Sequence, residues 1–372
     1  MSEPKKILHI IPESMQLEQF MVFMEDYYDD ITHDFIITDF GGSGEATRIK
    51  EHFFNKYNII EISTFRIKDV PTLCKRLRKS KEYDNIIFHS LYLNYLLLAL
   101  LFNIKAVRRA TMIVWGIQDG GPFTVPEAKS IYKIHGWLYE KLRSFIIPEF
   151  RYICTMIESD YKKVKKLYNV KGGNKKSGYI MGKLENDEID AKKRKDSVNI
   201  QVGHAGFELT FTIEALEALR KFKDENIRVF SPLSYGNDNY ISEVIQKGKE
   251  IFGSKFISIT KQISHENYVK FVSYMDIYVH NATGQMGLAN IDTHIANFNK
   301  LYLNEKGVVY SDLKETPGYH MSRIGDICNQ SFEEFAYCDS EQAKENKIKF
   351  DRLQDVETYK MIWDDILLDF IE

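Results

Sequence analysis

The chain has 372 residues, 44% of them hydrophobic and 28% charged, with a formal net charge of −3 at pH 7. This length indicates two domains, each large enough to bury its own core. The near-neutral charge lacks the overall positive field of nucleic-acid-binding proteins, so no nucleic-acid partner is predicted. The longest apolar run, 91–102, contains Asn94 and is too short to cross a bilayer.

The cysteines and the N-terminus bear on the compartment. Four cysteines are scattered without a paired spacing and without a histidine at metal-ligand spacing: Cys74, Cys154, Cys328 and Cys338. This pattern is typical of a reduced intracellular protein. The opening MSEPKK leads directly into an apolar strand and does not resemble a signal peptide. We therefore expect a cytoplasmic protein.

Apolar runs alternate with helical patterns in the first half of the chain. Strands are predicted over 6–12, 34–40, 58–63, 85–90, 110–115 and 151–158. Helices are predicted over 13–28, 69–79, 91–102 and 131–145. Strands that alternate with helices indicate a parallel sheet with helices on its faces.

A lysine-rich stretch over 163–195, with several glycines and the run KKRK, separates the two halves. Such a composition is typical of an exposed connection between domains. We predict a first domain over 1–190, a second over 196–345, and a C-terminal helix over 350–372 that packs back on the first domain.

The second half repeats the order of strand, polar loop and helix. Strands are predicted at 198–202, 227–230, 276–280 and 301–303. A helix over 239–252 meets a stop at Gly253, and Ser264 has the position of an N-cap for the next helix. Ligands of parallel sheets bind at the carboxyl ends of the strands. We therefore expect one crevice lined by Ser234, Tyr235, Gly236, His280, Asn281, Gln285 and Asn290.

Two glycine-containing loops follow predicted strands. The loop 41–44 (GGSG) lacks the lysine of a P-loop, which favours an ordinary flexible turn. The loop 203–206, with Gly203 and His204, has small residues that let backbone approach a diphosphate at a helix N-terminus. An ordinary tight turn is the equal alternative for this second loop.

The first domain offers its own candidates. Trp115 ends a strand and Asp119 follows in GIQDGG, an arrangement in which the ring can hold a sugar and the carboxylate can act as a base. The alternative is a turn in which Asp119 caps backbone amides. His9 lies within an apolar strand, which favours a core histidine, although the end of a first strand is also a common cleft position.

Two segments of the first domain, 91–109 and 131–151, combine apolar and aromatic residues with arginine and lysine. Such amphipathic basic segments bind anionic bilayer surfaces. The alternative is a pair of helices that pack on the sheet. A peripheral location at the inner face of the cell membrane is therefore an expectation of the sequence.

The chain resembles a known family through several of these segments, including 222–227 (FKDENI), PLSYG from Pro232 to Gly236, Tyr268 and 288–291 (LANI). These residues look like the 4-acetamido-4,6-dideoxygalactose transferases of enterobacterial common antigen synthesis. The match is good in the second domain and thin in the first, where it consists of His9-Ile10 and of Trp115 with Gly116 and Asp119. Two loops differ: the family has Gly-Asn-Ser at 203–205 and Arg-Gln-Gln at 284–286, which leaves a different nucleotide sugar open.

The resemblance implies a GT-B fold, in which two Rossmann-like parallel-sheet domains face a cleft. It implies a glycosyltransferase that moves a hexose from a dTDP- or UDP-sugar to a polyprenyl-linked or other glycan acceptor in bacterial surface polysaccharide synthesis. Asp119 is the expected catalytic residue. Substrate-binding residues are expected at His9, Trp115, Gly203, His204, Pro232, Ser234, Tyr235, Gly236, His280, Asn281, Gln285 and Asn290.

No cofactor and no metal are expected, because no acidic pair follows a strand in the manner of a metal-dependent transferase. Two alternatives stay open from the sequence. One is a nucleotide-sugar epimerase or hydrolase on the same fold, and the other is an inactive binding or scaffold subunit.

Overall fold

The computed structural model describes residues 5–39, 51–115, 130–179 and 197–368. The chain divides into two compact units. Unit 1 consists of Met1–Gly182 with Asp355–Glu372, and unit 2 of Lys183–Gln354. The C-terminal segment therefore belongs to unit 1, although it follows unit 2 in the chain.

Unit 1 is built on a parallel sheet of seven described strands. They are β1 (Lys6–Pro12), β2 (Thr32–Thr38), β3 (Asn58–Ile62), β4 (Asn85–Phe88), β5 (Ala110–Ile113), β6 (Tyr152–Thr155) and β7 (Gly173–Lys176). Their order in the sheet is β3-β2-β1-β4-β5-β6-β7. The inner strands β1, β4 and β5 are almost wholly buried, as continuous apolar runs are when helices cover both faces of a sheet.

Helices pack on both faces of this sheet. They are α1 (Met15–Tyr27), α2 (Glu51–Lys56), α3 (Val70–Arg78), α4 (Leu97–Phe102), α5 (Ile104–Val107), α6 (Ser130–Ile146) and α7 (Glu158–Tyr168). Buried residues of α3, α4, α6 and α7 share one apolar core, and those of α1 and α2 share another.

Unit 2 has a parallel sheet of six described strands. They are β8 (Val198–Val202), β9 (Ile227–Pro232), β10 (Phe256–Ile259), β11 (Ile277–His280), β12 (Lys300–Leu303) and β13 (Ser322–Arg323), in the order β10-β9-β8-β11-β12-β13. The helices are α8 (Thr212–Leu219), α9 (Asp238–Phe252), α10 (His265–Val272), α11 (Leu288–Ala296), α12 (Val308–Glu315), α13 (Phe332–Ala336) and α14 (Ser340–Leu353).

The last helix, α15 (Val356–Leu367), packs on unit 1. Its Trp363 is buried in the same core as α1, and the indole N–H donates to the carbonyl of Gly178 at 3.0 Å. The amide of Asn85 in β4 donates to the carbonyl of Ile366 at 2.8 Å.

Local signals set several helix ends. The Oγ of Ser264 accepts a hydrogen bond from the backbone N–H of Asn267, which confirms the predicted N-cap. Gly253 has φ +57° directly after α9, a value that favours glycine, and this confirms the predicted stop.

One predicted helix is shorter than expected, and so is the predicted connection between domains. The helix predicted over 91–102 begins only at Leu97, and Asn94 before it has a positive φ value of 41°. The stretch 163–195 contains the division between the two units after Gly182, but it also contains the end of α7 and then β7, the edge strand of the first sheet. Within the described ranges, none of the helices combines the length and hydropathy needed to span a membrane.

Candidate active site

Three loops meet at the carboxyl edge of the sheet of unit 2. They follow β8, β9 and β11. The N–H of Gly206 donates to the carbonyl of Tyr235, and the N–H of Asn237 to the carbonyl of Gly206, both at 2.8 Å. The N–H of Gly203 donates to the carbonyl of Val279 at 3.0 Å. Backbone hydrogen bonds therefore join the loop after β8 to the loop after β9 and to strand β11.

Glycine permits these close approaches. A Cβ on Gly236 would lie 2.3 Å from the carbonyl oxygen of Gly206, a separation that no side chain tolerates. Gly287 has φ +64°, and a Cβ there would lie 2.8 Å from the ring of His204. The sequence pattern did not single out Gly287, because the contact partner lies on a distant loop.

Two histidines of this edge are buried and neutral. The rings of His204 and His280 stack with their centroids 5.3 Å apart. Burial lowers the pKa of His204 to about 4 and the pKa of His280 well below its ordinary value. Neither ring can therefore neutralise the charge of a diphosphate at neutral pH, although both can form hydrogen bonds.

Three buried polar atoms at this edge have no hydrogen-bond partner among the described residues. They are His204 Nδ1, His280 Nε2 and Gln285 Oε1. Folded proteins rarely leave such atoms unpaired, since each costs about 1–3 kcal/mol. Their concentration in the loops after β8 and β11 indicates a site that a polar ligand completes.

The predicted residues after β9 frame the same edge. Pro232 is the buried last residue of β9, and Ser234 is half-buried in the loop that follows. Tyr235 is 54% exposed, and its ring meets that of Phe207 edge to face at 5.9 Å. A tyrosine presented in this way can stack on a base or a sugar.

The side chain of Asn281 is used within the protein. Its Nδ2 donates to the carbonyl of Phe211 at 2.9 Å, and its Oδ1 accepts from Asn304 Nδ2 at 3.0 Å. The structure thus gives Asn281 a role in holding the loop after β11, whereas the sequence predicted substrate binding. Asn290, in the first turn of α11, accepts a hydrogen bond through Oδ1 from the hydroxyl of Tyr268.

Asp292 is a titratable residue of α11 that the sequence analysis did not single out. It is half-buried on α11, and the surrounding protein raises the pKa of its carboxyl group to about 7. A carboxylate within the apolar helix LANIDTHIA was the available signal.

Unit 1 contains a buried chain of histidines. His9 Nδ1 lies 3.0 Å from His89 Nε2, and His9 Nε2 lies 2.9 Å from His33 Nδ1. The hydroxyl of Tyr179 lies 2.6 Å from His89 Nδ1, and Trp115 Nε1 donates to that hydroxyl at 3.0 Å. Because His9 is 0% exposed and both its ring nitrogens are engaged, the structure favours the core-histidine interpretation over a substrate contact.

Asp119 and the loop 41–44 lie outside the described residues. Glu13, directly after β1, is a further carboxylate at a strand end of unit 1. Burial, aided by the nearby charges of Glu61 and Asp39, raises the pKa of its carboxyl group. Among the side chains that the structure describes, no three His, Cys, Asp or Glu residues are grouped to hold a metal ion.

Solved structures share this pair of parallel α/β units over nearly the whole chain. A glycosyltransferase from Rickettsia africae matches with a TM-score of 0.64 at 12% identity, covering 99% of this chain and 100% of that chain. Anabaena HepE in complex with UDP-glucose matches with a TM-score of 0.62 at 11% identity, covering 97% and 99%. A trehalose-6-phosphate protein from E. coli bound with UDP-2-fluoro glucose matches with a TM-score of 0.62 at 12% identity, covering 98% and 99%.

The fold is therefore that of the GT-B glycosyltransferases, as predicted. The family described as 4-alpha-L-fucosyltransferase, glycosyl transferase group 56, matches residues 45–317, well over half of the chain. The protein belongs to this family and is a glycosyltransferase. The narrower resemblance to the 4-acetamido-4,6-dideoxygalactose transferases stays a prediction.

Proposed function

We propose that unit 2 binds the nucleotide-diphosphate sugar from which the protein transfers a hexose. The observation that carries the proposal is the group of unpartnered buried atoms on His204, His280 and Gln285. The N-terminus of α11 follows the same loop, and a helix N-terminus favours an anion such as a diphosphate. The UDP-sugar complexes of two relatives with this fold support the same ligand class.

The donor sugar in this proposal is a 4-acetamido-4,6-dideoxy hexose on dTDP or UDP. The membership in a fucosyltransferase family supports a 6-deoxy sugar. Neutral His204 and His280 suit hydrogen bonds to a base or an acetamido group better than contact with phosphate charge.

Binding of UDP, dTDP and their sugars by isothermal titration calorimetry tests the proposal. Asn290→Ala and Tyr235→Ala remove groups from the proposed site, and each lost contact of about 1–3 kcal/mol weakens binding roughly 5- to 150-fold. Asn239→Ala on the exposed start of α9 is the matched control and leaves affinity unchanged. Added EDTA also leaves affinity unchanged, since no metal is part of the proposal. Equal affinity in all three variants would exclude this edge of the sheet.

The proposed catalytic base lies in unit 1. Asp119 is the residue that the sequence favours, and Glu13 is the candidate that the structure adds, because a raised pKa makes its carboxylate a stronger proton acceptor. Turnover measured for Asp119→Asn and Glu13→Gln distinguishes them. The variant that removes the base loses turnover by roughly 10²–10⁴-fold and keeps its affinity for nucleotide.

A polyprenyl-linked glycan is the proposed acceptor, held at the cytoplasmic face of a membrane. Large apolar side chains of α4 and α6 support this, since Phe102 is 73%, Trp137 60% and Phe145 66% exposed. Lys141 lies over the ring of Trp137 at 5.7 Å, and such a cation can meet anionic headgroups. Arg143, which the sequence placed on the same surface, is instead buried against the rings of Tyr139 and Tyr168.

Sedimentation with vesicles that contain anionic lipid tests the membrane contact. The double variant Trp137→Ser with Phe145→Ser is expected to lose most of its binding at low salt and to bind nucleotide normally. Met361→Ser is the control, because Met361 is 73% exposed on α15, which packs in the core on the other face of the sheet. Vesicle binding that ignores the double variant would point to a soluble acceptor.

A further inference from the structure

A second buried chain of polar side chains runs through unit 2 and reaches the proposed nucleotide site. Gln201 in β8 is fully buried, and its Nε2 donates to the carbonyl of Gly203 and to the hydroxyl of Tyr268, both at 3.1 Å. Its Oε1 lies 3.1 Å from Nε2 of the buried His294. The hydroxyl of Tyr268 in turn donates to Oδ1 of Asn290.

The series of hydrogen-bonded side chains continues from the other ring nitrogen of His294. The Nδ1 of this ring lies 2.9 Å from Nδ2 of the buried Asn299. The same Nδ2 donates to the carbonyl of Val272 at 3.1 Å. The ring of His294 is held in plane by stacking on Tyr278, with the centroids 4.1 Å apart and the planes 8° from parallel.

Backbone carbonyls at two points determine which atom of each pair carries the proton. A carbonyl oxygen only accepts, so the atom of Gln201 near Gly203 must be its NH2 group, and its oxygen must face His294. His294 therefore carries its proton on Nε2. The carbonyl of Val272 likewise requires the NH2 group of Asn299, which donates to an unprotonated Nδ1 of His294. The two constraints are independent and give the same tautomer.

This order has a consequence at the ligand edge. Tyr268 already accepts a hydrogen bond from Gln201, so it donates its own proton to Oδ1 of Asn290. The oxygen of the Asn290 amide is thereby occupied, and its NH2 group is left for other partners.

We propose that Gln201, His294 and Asn299 are positioning residues that hold Asn290 with its NH2 group toward the ligand, as a hydrogen-bond donor to the anionic diphosphate. This inference rests on the proposed function of unit 2. A reversed amide would present an oxygen to the diphosphate, and two oxygens would then repel each other across the site. None of the three positioning residues needs to touch the ligand.

Asn299→Asp tests the chain from its far end. The carboxylate only accepts, so His294 is expected to gain a proton on Nδ1, from which it donates to Asp at position 299. Its Nε2–H keeps donating to Oε1 of Gln201, because the carbonyl of Gly203 holds the NH2 group of Gln201 in place. We expect ¹⁵N NMR of the imidazole to show the Nε2–H tautomer in the wild type and a ring protonated on both nitrogens in Asn299→Asp. Binding of UDP or dTDP is expected to stay within about twofold of the wild type, since Asn290 does not turn.

Asn346→Asp is the matched control. Asn346 is a buried asparagine of the same unit whose side chain bonds only the backbone of His320, at 2.7 and 2.9 Å. Its change introduces the same carboxylate without touching the chain, so tautomer and nucleotide affinity are expected to stay those of the wild type.

Gln201→Glu is the variant that is expected to turn Asn290, because it removes the NH2 group that donates to Tyr268. Glu at position 201 still accepts from His294 Nε2, so the tautomer does not change, but it now also accepts from Tyr268. Asn290 turns, and affinity falls at least fivefold. In a Tyr268→Phe background the link is broken, and Gln201→Glu is expected to cause no further loss.

The outcomes separate this proposal from the function of the site. An Nδ1–H tautomer in the wild type, or unchanged affinity in Gln201→Glu, would overturn the proposal and leave nucleotide binding intact. If the wild type binds no nucleotide, the proposed function fails, and the order of the hydrogen bonds is judged from the side-chain NH2 group of Asn290. This group exchanges rapidly with water in the wild type and is protected in Gln201→Glu if the order is correct, whereas equal exchange in both would contradict it.

Discussion

Unit 1 and unit 2 each bury histidines as links in a chain of hydrogen bonds, and the two chains differ in what they leave at the strand ends. In unit 1, the carbonyl of Tyr28 lies 3.2 Å from His33 Nε2, which must therefore carry the proton. It follows that His9 donates to His33 and His89 donates to His9. This series of hydrogen bonds runs through the core and engages every ring nitrogen of the three histidines.

In unit 2, backbone carbonyls also set the direction of the hydrogen bonds between side chains, but the last group in the series differs. A backbone carbonyl again dictates the tautomer, but the last side chain, Asn290, lies on the helix that follows the loop after β11 and keeps an NH2 group for other partners. The comparison shows that a buried neutral histidine does not by itself indicate either a core or an active site. The group at the other end of its hydrogen-bond chain distinguishes the two.

At neutral pH, the largest expected loss of folding stability comes from breaking the hydrogen-bonded chain of histidines in unit 1. His9→Ala leaves a donor on His89 and an acceptor on His33 unpaired in the core, at about 1–3 kcal/mol each, and adds a cavity. We expect the free energy of unfolding to fall by roughly 3–6 kcal/mol in urea denaturation. His52→Ala, which removes a surface pair with Glu25 at 3.3 Å, is the control and costs about 1 kcal/mol or less. A loss for His9→Ala as small as that of the control would show that the chain of unit 1 contributes little to stability.

A pH-dependent loss of stability is expected in acid. Burial lowers the pKa of His33 to about 4, of His89 to about 3 and of His9 well below its ordinary value. The unfolded chain takes up these protons near pH 6.5 and the folded chain does not, so stability is present above pH 6.5 and is lost as pH falls. With three such groups, the free energy of unfolding is expected to fall by up to about 4 kcal/mol for each pH unit.

The variant His33→Gln sharpens this test. Removal of one titrating ring is expected to reduce the slope of unfolding free energy between pH 6 and pH 4.5 by about 1.4 kcal/mol per pH unit. Denaturation series at several pH values measure it directly. A slope identical to that of the wild type would mean that His33 is already charged in the folded protein.

A pH effect of the opposite sign is expected at Asp292. The pKa of this carboxyl group is raised by burial to about 7, so the folded protein holds the proton between about pH 4 and pH 7 and the unfolded chain does not. Asp292 therefore lowers stability as pH rises through this range. Asp292→Asn is expected to raise the melting temperature at pH 8 and to leave it nearly unchanged at pH 4. An equal shift at both pH values would assign the effect to packing.

Much of the fold could be predicted from local sequence. Alternation of apolar strands with helical patterns indicated the parallel sheets, and Ser264 and Gly253 marked helix ends through capping and backbone conformation. The short strands β10 and β13 were not predicted, because runs of two to four residues carry little periodicity. Backbone bonds from Gly206 to Tyr235 and Asn237 join the loops after β8 and β9, whereas the crevice predicted for the loops after β9 and β11 stays a prediction.

Tertiary structure alone decided which polar groups meet. His9, His33 and His89 become neighbours because β1 lies between β2 and β4, and Gln201 reaches His294 because β8 lies beside β11. The same holds for Arg143, whose place on an amphipathic helix indicated solvent, whereas the rings of Tyr139 and Tyr168 enclose it. Periodicity reports which face of an element is apolar, and composition reports which residues can bond. The order of strands in the sheet, which brings residues far apart in the chain within hydrogen-bond distance, is encoded in neither.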